Sequence, residues 1–231
     1  MRIQAEIDDV GVVLVGSLNP SIFTPAWFAL HGLLPESAAE SAELEVAHAQ
    51  LTRFSTDWLR LQVTTDRFIA ESAHAPYVRV RDLVVRVFKE HLDHTPLTAM
   101  GINRHVHFRV GSSTERDRIG RTLAPVAPWG AYAQELDLAG EHGGMTSLTM
   151  SQLQCKGRPP GGQVNITVEP SNRIGGGRSG VYVRVNDHFA VEPADAGGQA
   201  QLIGLLEDGF DTSIRRSDGI VDHIMSLAQV E

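Results

Sequence analysis

The sequence predicts an α+β protein of two pseudo-repeated strand-strand-strand-helix halves, mainly antiparallel sheet with helices on one face. Several stretches alternate apolar and polar residues with a period of two, the signature of a strand with one wet face. Others repeat apolar residues at helical spacing. Two distant segments, "LQVTTDRFIAE" (61–71) and "VRVNDHFAVE" (183–192), share an alternating run followed by Asp, Phe and Glu at matching positions.

The first strand is expected over Val12 to Leu18. In "FTPAWFALHG", Thr24 is an N-cap, Pro25 stands at the first helical position and Gly32 follows the end, predicting a helix from Pro25 to His31 that buries Trp27, Phe28 and Leu30. His31 then lies in the last turn, where an imidazole suits the helix dipole. Residues 35–42 form a helical turn or surface loop, and "LEVAHAQLTRF" (44–54) leads into "DWLRLQVTTDRFIAE" (57–71). There Leu59, Leu61 and Val63 alternate with Arg60, Gln62 and Thr64.

From Tyr77 to Leu92 the period changes: Val80, Val84, Val87, Phe88 and His91 recur at helical spacing. A long strand follows in "LTAMGINRHVHFRV". The Gly-, Pro- and charge-rich stretch 111–144, with a short helix in "TERDRIGRTLA" and a turn in "PVAPWG", divides the chain into halves at 1–110 and 145–231. The second half offers strands at 145–154, 163–170 and from 180 onward, then helices over about 197–209 and 214–228. In the shared pattern Asp66 matches Asp187, and both are expected to make tight turns between strands.

Composition bounds the function. With 42% hydrophobic and 21% charged residues the chain has the make-up of a globular protein, and no apolar run approaches the roughly 20 residues that span a bilayer. The start of the chain has acids where a secretory signal carries cations. Cys155, the one cysteine, allows no internal disulfide and suits a small apolar site at a strand end, so a cytoplasmic location is expected. A net charge of −8 argues against nonspecific binding to nucleic acid. Lys89 and Lys156 are the only lysines, which leaves the forked guanidinium as the usual cation.

The densest chemistry lies in "MGINRHVHFRV". Ile102, Val106, Phe108 and Val110 fall on one strand face, and Asn103, His105, His107 and Arg109 on the other. Arg104 interrupts the apolar side and is expected to reach the sheet edge or a buried acid. His105 and His107 point the same way, about 7 Å apart, an arrangement found in metal sites, but zinc or iron needs a further ligand. His91, Asp93 and His94 are placed by the turn at 95–97 about 25 Å from His105 at extended rise, so the polar-surface reading is preferred over the metal clamp. "GGGRSG" (175–180) resembles a phosphate-cradling loop but joins two strands and lacks the Lys-Ser/Thr that would complete it. No Gly-x-Ser-x-Gly elbow, cysteine nucleophile or acid pair stands out, so no catalytic residue, metal or cofactor is assigned.

"FTPAWFALHGLL", "FSTDWLRLQVTTDRF", "DLVVRVFKEHLDHTPLTAMGINRHVHF", "LAPVAPW" and "GVYVRVNDHF" together resemble a family of uncharacterised bacterial proteins of about 230 residues. The likeness covers most of the chain and is weaker over 111–144 and the last helices. It implies a bacterial, cytosolic α+β protein and carries over no site residues.

These readings lead to an expected non-enzymatic interaction or regulatory module that self-associates, binding a protein partner or its own copy through Asn103, His105, His107 and Arg109. The rival is a small-molecule-binding protein or metal-dependent hydrolase with a pocket between the halves, lined by Trp129, His105, His107 and Arg109. No membrane partner is expected. A nucleic-acid surface would have to use Arg79, Arg81, Arg86 and the arginines of 116–121, against the overall charge.

Overall fold

The computed structural model describes residues 3–136, 146–153, 155–192 and 197–229. The later part of the 111–144 connection lies outside them, as do residues 145 and 154 at the ends of one expected strand. In chain order the strands are β1 (Ala5–Gly16), β2 (Glu43–His48), β3 (Leu51–Ser55), β4 (Arg60–Thr64), β5 (Arg67–Ser72), β6 (Leu97–Arg109), β7 (Leu148–Gln152), β8 (Gln163–Pro170) and β9 (Gly180–Ala190). The helices are α1 (Pro25–Leu30), α2 (Glu36–Glu40), α3 (Val78–Arg86), α4 (Ser113–Leu123), α5 (Tyr132–Glu135) and α6 (Gly198–Ser226). A π-helical turn, Val87–His91, continues α3.

All nine strands join one antiparallel sheet in the order β2-β3-β4-β5-β1-β6-β9-β8-β7. The long strands β1 and β6 lie side by side at its centre, Asp9 opposite His105 and Gly11 opposite Asn103. The fold is therefore α+β, as the alternation and helical spacing predict.

Alternation sets the layers. Val10, Val12 and Leu14 of β1, Leu61 and Val63 of β4, Phe68 and Ala70 of β5 and Met100 and Ile102 of β6 all point to one face, where Val80, Val84, Phe88, Leu202, Leu206 and Phe210 meet them. Toward the other end, Val106, Phe108, Val164, Val183 and Val185 receive Ile119, Val221 and Ile224. Apart from Pro25, the apolar side chains that α1, α3, α4 and α6 bury belong to these two clusters.

Several local expectations change. β1 begins at Ala5, because Asp8 and Asp9, which look like loop residues, are both held by arginines within the strand. Thr24 caps α1 as expected, its Oγ1 accepting from the Trp27 N–H at 3.3 Å, and Phe28 is buried. Leu30, by contrast, is 81% exposed and belongs to no core. His31 packs against Trp27, with ring centroids 4.6 Å apart and the planes tilted by 55°.

Residues 198–226 form one helix of 29 residues rather than two. The apolar stripe fades at Ser213 and Ser217, yet both are buried, because that stretch of α6 faces ion pairs instead of hydrocarbon. Arg104 leaves the apolar side of β6 to bond Asp8 and, at 2.9 Å, Asp218 of α6, reaching acids as its position suggested.

Asp187 is the clearest correction. Asp66 makes the β4–β5 turn, where its carboxylate accepts from the Thr64 hydroxyl at 2.7 Å. Asp187 makes no turn: it sits inside β9 between Ile102 and Val164, 2% exposed. Arg158 and Arg216 hold its two oxygens at 2.7 and 2.8 Å. The residue-by-residue echo between 61–71 and 183–192 thus ends at their aspartates, since one segment is a hairpin and the other a continuous strand.

Among the described residues no helix is long and apolar enough to cross a membrane.

Candidate functional site

The sheet face opposite the two apolar clusters is polar, and strand register builds it. Asp9, His105, Arg184 and Thr167 are successive partners across β1, β6, β9 and β8. One step along, Ile7, His107, Tyr182 and Glu169 form the next row. On the other side of Asp9, Gly11 stands between Glu71 and Asn103. A Cβ on Gly11 would come within 2.9 Å of the Glu71 side chain, so this glycine is what lets Glu71 lie across the strand.

Asn103 heads a ladder. The Asn186 amide donates to its Oδ1 at 2.9 Å, and the Asn165 amide to that of Asn186 at 3.2 Å. Gly101 leaves the needed space, since a Cβ there would stand 2.6 Å from the Asn186 amide nitrogen. Asn103, the end member of this ladder, is buried.

His105 and His107 stand together around one phenol. His105 Nδ1 shares a hydrogen bond of 2.6 Å with the Tyr182 hydroxyl, and the His107 ring stacks on the Tyr182 ring with centroids 4.5 Å apart. His107 Nδ1 meets the Ser171 hydroxyl at 2.8 Å. Burial is the main cause that lowers the His105 imidazole to about 4, with Arg184 adding to it; burial followed by Arg173 lowers His107. Both rings are therefore neutral at pH 7. Burial likewise raises the Tyr182 phenol, and raises the Glu71 carboxyl against the pull of Arg60.

These side chains surround a pocket of about 560 Å³. Asp9, Arg60 and Glu71 line it from the β1–β4–β5 side, and Glu169, Arg173 and Tyr182 from the β8–β9 side, with the two histidines between. Arg60 reaches across Glu71 to an Asp9 oxygen at 3.1 Å, and Arg173 approaches the same oxygen at 3.4 Å from the loop after β8. Four groups with displaced proton affinities thus meet in one concavity, which is where burial and charge are arranged to set protonation states.

Of the expected binding residues, His105 and His107 line the pocket, and Asn103 ends the neighbouring ladder. Arg109 does not join them: it is the last residue of β6 and forms a two-pronged pair with Glu6, at 2.6 and 3.1 Å. That pair is exposed and holds the Glu6 carboxyl below its usual range. Trp129, expected in the pocket, is 62% exposed beside Tyr132.

His91, Asp93 and His94 gather near the start of β6 and line a different cavity. There the His91 ring lies 4.4 Å from that of His31. Among the described residues no three His, Cys, Asp or Glu side chains are placed to hold a metal ion. Cys155 is a free thiol packed against the second apolar cluster.

Asp9, Arg60, Glu71, Ser171, Arg173 and Tyr182 escaped the reading of the sequence. They come from separate strands and loops, and only the register of the sheet brings them beside the histidines. The faint signal for Asp9 was two acids embedded in an apolar β-forming run, "IDDVGVV". No protein-family model matches the chain, and no curated protein matches it.

Proposed function

We propose that this protein is a non-enzymatic binding module that holds a small polar ligand in the pocket on its polar sheet face. One observation carries the reading: a concavity of about 560 Å³, within the range of small-molecule sites, is built from both parts of the chain around a fixed His–Tyr–His stack. Its walls are held before any ligand arrives, by Ser171 on His107, by Arg60 and Arg173 on Asp9, and by the asparagine ladder beside it. Binding is favoured over turnover because the two hydroxyl–imidazole pairs are tied into the structure: Ser171 is 1% exposed and also takes two backbone N–H groups, and burial raises the Tyr182 phenol beside His105, disfavouring its ionised form.

The test is a thermal-shift survey of polar metabolites on the wild-type protein and on Tyr182→Ala, with circular dichroism to check that the variant folds. Ligands of the pocket raise the wild-type melting temperature and leave the variant unmoved. A library without a single shift, or shifts equal in both proteins, would sink the reading.

Self-association is a second reading, favoured by the sheet's two borders, which among the described residues pair with no further strand. The edge strands β2 and β7 carry exposed apolar residues, Leu44 at 48% and Met150 at 46%, and Leu153, just past β7, is 70% exposed. An internal duplication is supported by the order of elements. Each central strand, β1 or β6, is followed by helices, then by strands that form a meander ending against that strand, then by a helix. The single free cysteine and the acidic charge support a place in the cytosol.

A further inference from the structure

We infer that the pocket takes a small zwitterion of the amino-acid class, its ammonium group donating to Asp9 and its carboxylate lying between the guanidiniums of Arg60 and Arg173. The inference rests on reading the polar face as a ligand pocket.

Asp9 is 4% exposed, and its two oxygens are treated unequally. Oδ2 takes both arginines, at 3.1 and 3.4 Å. Oδ1 is shielded from solvent and, among the described residues, accepts no hydrogen bond. A buried carboxylate oxygen without a donor is costly and uncommon, and it marks where an N–H or O–H is missing. No described residue supplies one. His105, directly across the ladder, is neutral at pH 7 and commits its Nδ1 to Tyr182.

Charge decides which donor fits. Three carboxylates, Asp9, Glu71 and Glu169, line the pocket with Arg60 and Arg173, and Arg184, beside His105 in the neighbouring strand, brings the charges to balance while the imidazoles are neutral, so a ligand without net charge fits. Within such a ligand an ammonium supplies three donors for the bare Asp9 oxygen. A bare cation, however, would sit beside Arg60 and Arg173, which stand on opposite banks of Asp9 and would repel it. Their side chains are 47% and 50% exposed, and each holds its acids through one terminal nitrogen, so that among the described residues the rest of either fork makes no ion pair. A carboxylate carried by the same ligand turns that repulsion into paired, charge-assisted hydrogen bonds.

The experiment is calorimetric titration of the full chain with the free L-amino acids. It is followed, for the tightest of them, by the corresponding amine without the carboxylate and the corresponding acid without the ammonium. The expected result is saturable binding of at least one amino acid, at least tenfold weaker binding of either half-molecule, and loss of the signal in Asp9→Asn and in Arg173→Gln. Arg173→Gln alters a half-exposed loop residue and carries the test if Asp9→Asn fails to fold. Equal binding of the amine, equal binding of the acid, no amino-acid binding, or binding that survives Arg173→Gln overturns the inference. If amino acids fail while other polar ligands still shift wild type and not Tyr182→Ala, the pocket stands and only the zwitterion falls.

Discussion

The Ser171 hydroxyl, 64 residues from His107 along the chain, lies 2.8 Å from its Nδ1 and decides which nitrogen carries the proton. The same oxygen accepts from the backbone N–H groups of Arg173 and Ile174, both at 3.2 Å. With its lone pairs so used, the hydroxyl donates its own proton to His107. The neutral ring therefore keeps its hydrogen on Nε2. Nitrogen NMR at pH 7 should show that tautomer in wild type. Ser171→Ala should leave a buried Nδ1 without its donor and cost about 1–3 kcal/mol in chemical denaturation. The opposite tautomer would refute the assignment.

Asp187 is the anion on which a buried cation, Arg158, and a partly buried one, Arg216, depend. Its neighbour Arg158 has a fully buried side chain that also donates to the His188 and Gly161 carbonyls and lies 4.1 Å over the Phe189 ring. Asp187→Asn removes the charge and keeps the shape, so Arg158 and Arg216 lose their counter-ion. The variant should lose about 3–5 kcal/mol of stability. Glu6→Gln, which breaks the exposed pair with Arg109, should leave the denaturation midpoint in place. Equal effects from the two variants would contradict this contrast.

Stability should fall as the solution is acidified from neutrality. His105 titrates near 6.5 when unfolded and near 4 when folded, so the unfolded chain takes up the proton first. The contribution is complete above pH 6.5 and disappears as pH falls through about 4; it amounts to about 3 kcal/mol. His107 and His188 are displaced in the same direction, both mainly by burial. Urea midpoints measured across that window should drop, and His105→Gln should flatten the drop. An unchanged slope in the variant would rule out His105 as its source.

The bare edge strands make a separate prediction. Light scattering should give the wild-type chain a mass above that of one copy at micromolar concentration. Met150→Lys combined with Leu153→Lys should return it to a single copy without altering ligand binding. A wild-type monomer, or a variant of unchanged mass, would exclude association through β7.

Strand β4 and the amphipathic helix α3 were legible because burial imposes a period on the residues of a single element. Leu59, Leu61 and Val63 announce their face without help from the rest of the chain. The histidine pair was legible for the same reason: two residues apart on one strand must point together. What sequence could not show was anything set by register between strands. Tyr182 meets His105 and His107 only because β9 pairs with β6 in one alignment, and a shift of one residue would turn the phenol to the other face. Arg109 shares a face with the histidines by parity, yet its place at the strand's end gives it to Glu6. The long helix was misread where Ser213 and Ser217 stand in a buried position opposite charges. Asp187 was misread because an aspartate after an asparagine resembles a turn until the two arginines are in view.

The placement of β6 bears on how the protein is made. Residues 97–109 bond along one border to the first strand of the chain and along the other to a strand that begins at Gly180. A nascent chain that has emerged from the ribosome only as far as Arg109 therefore displays an unclaimed row of amides beside Val106 and Phe108. That row stays open to strangers until translation passes Gly180 and delivers its partner. Chaperone capture during synthesis, more than equilibrium stability, would then limit the yield of this protein in a cell.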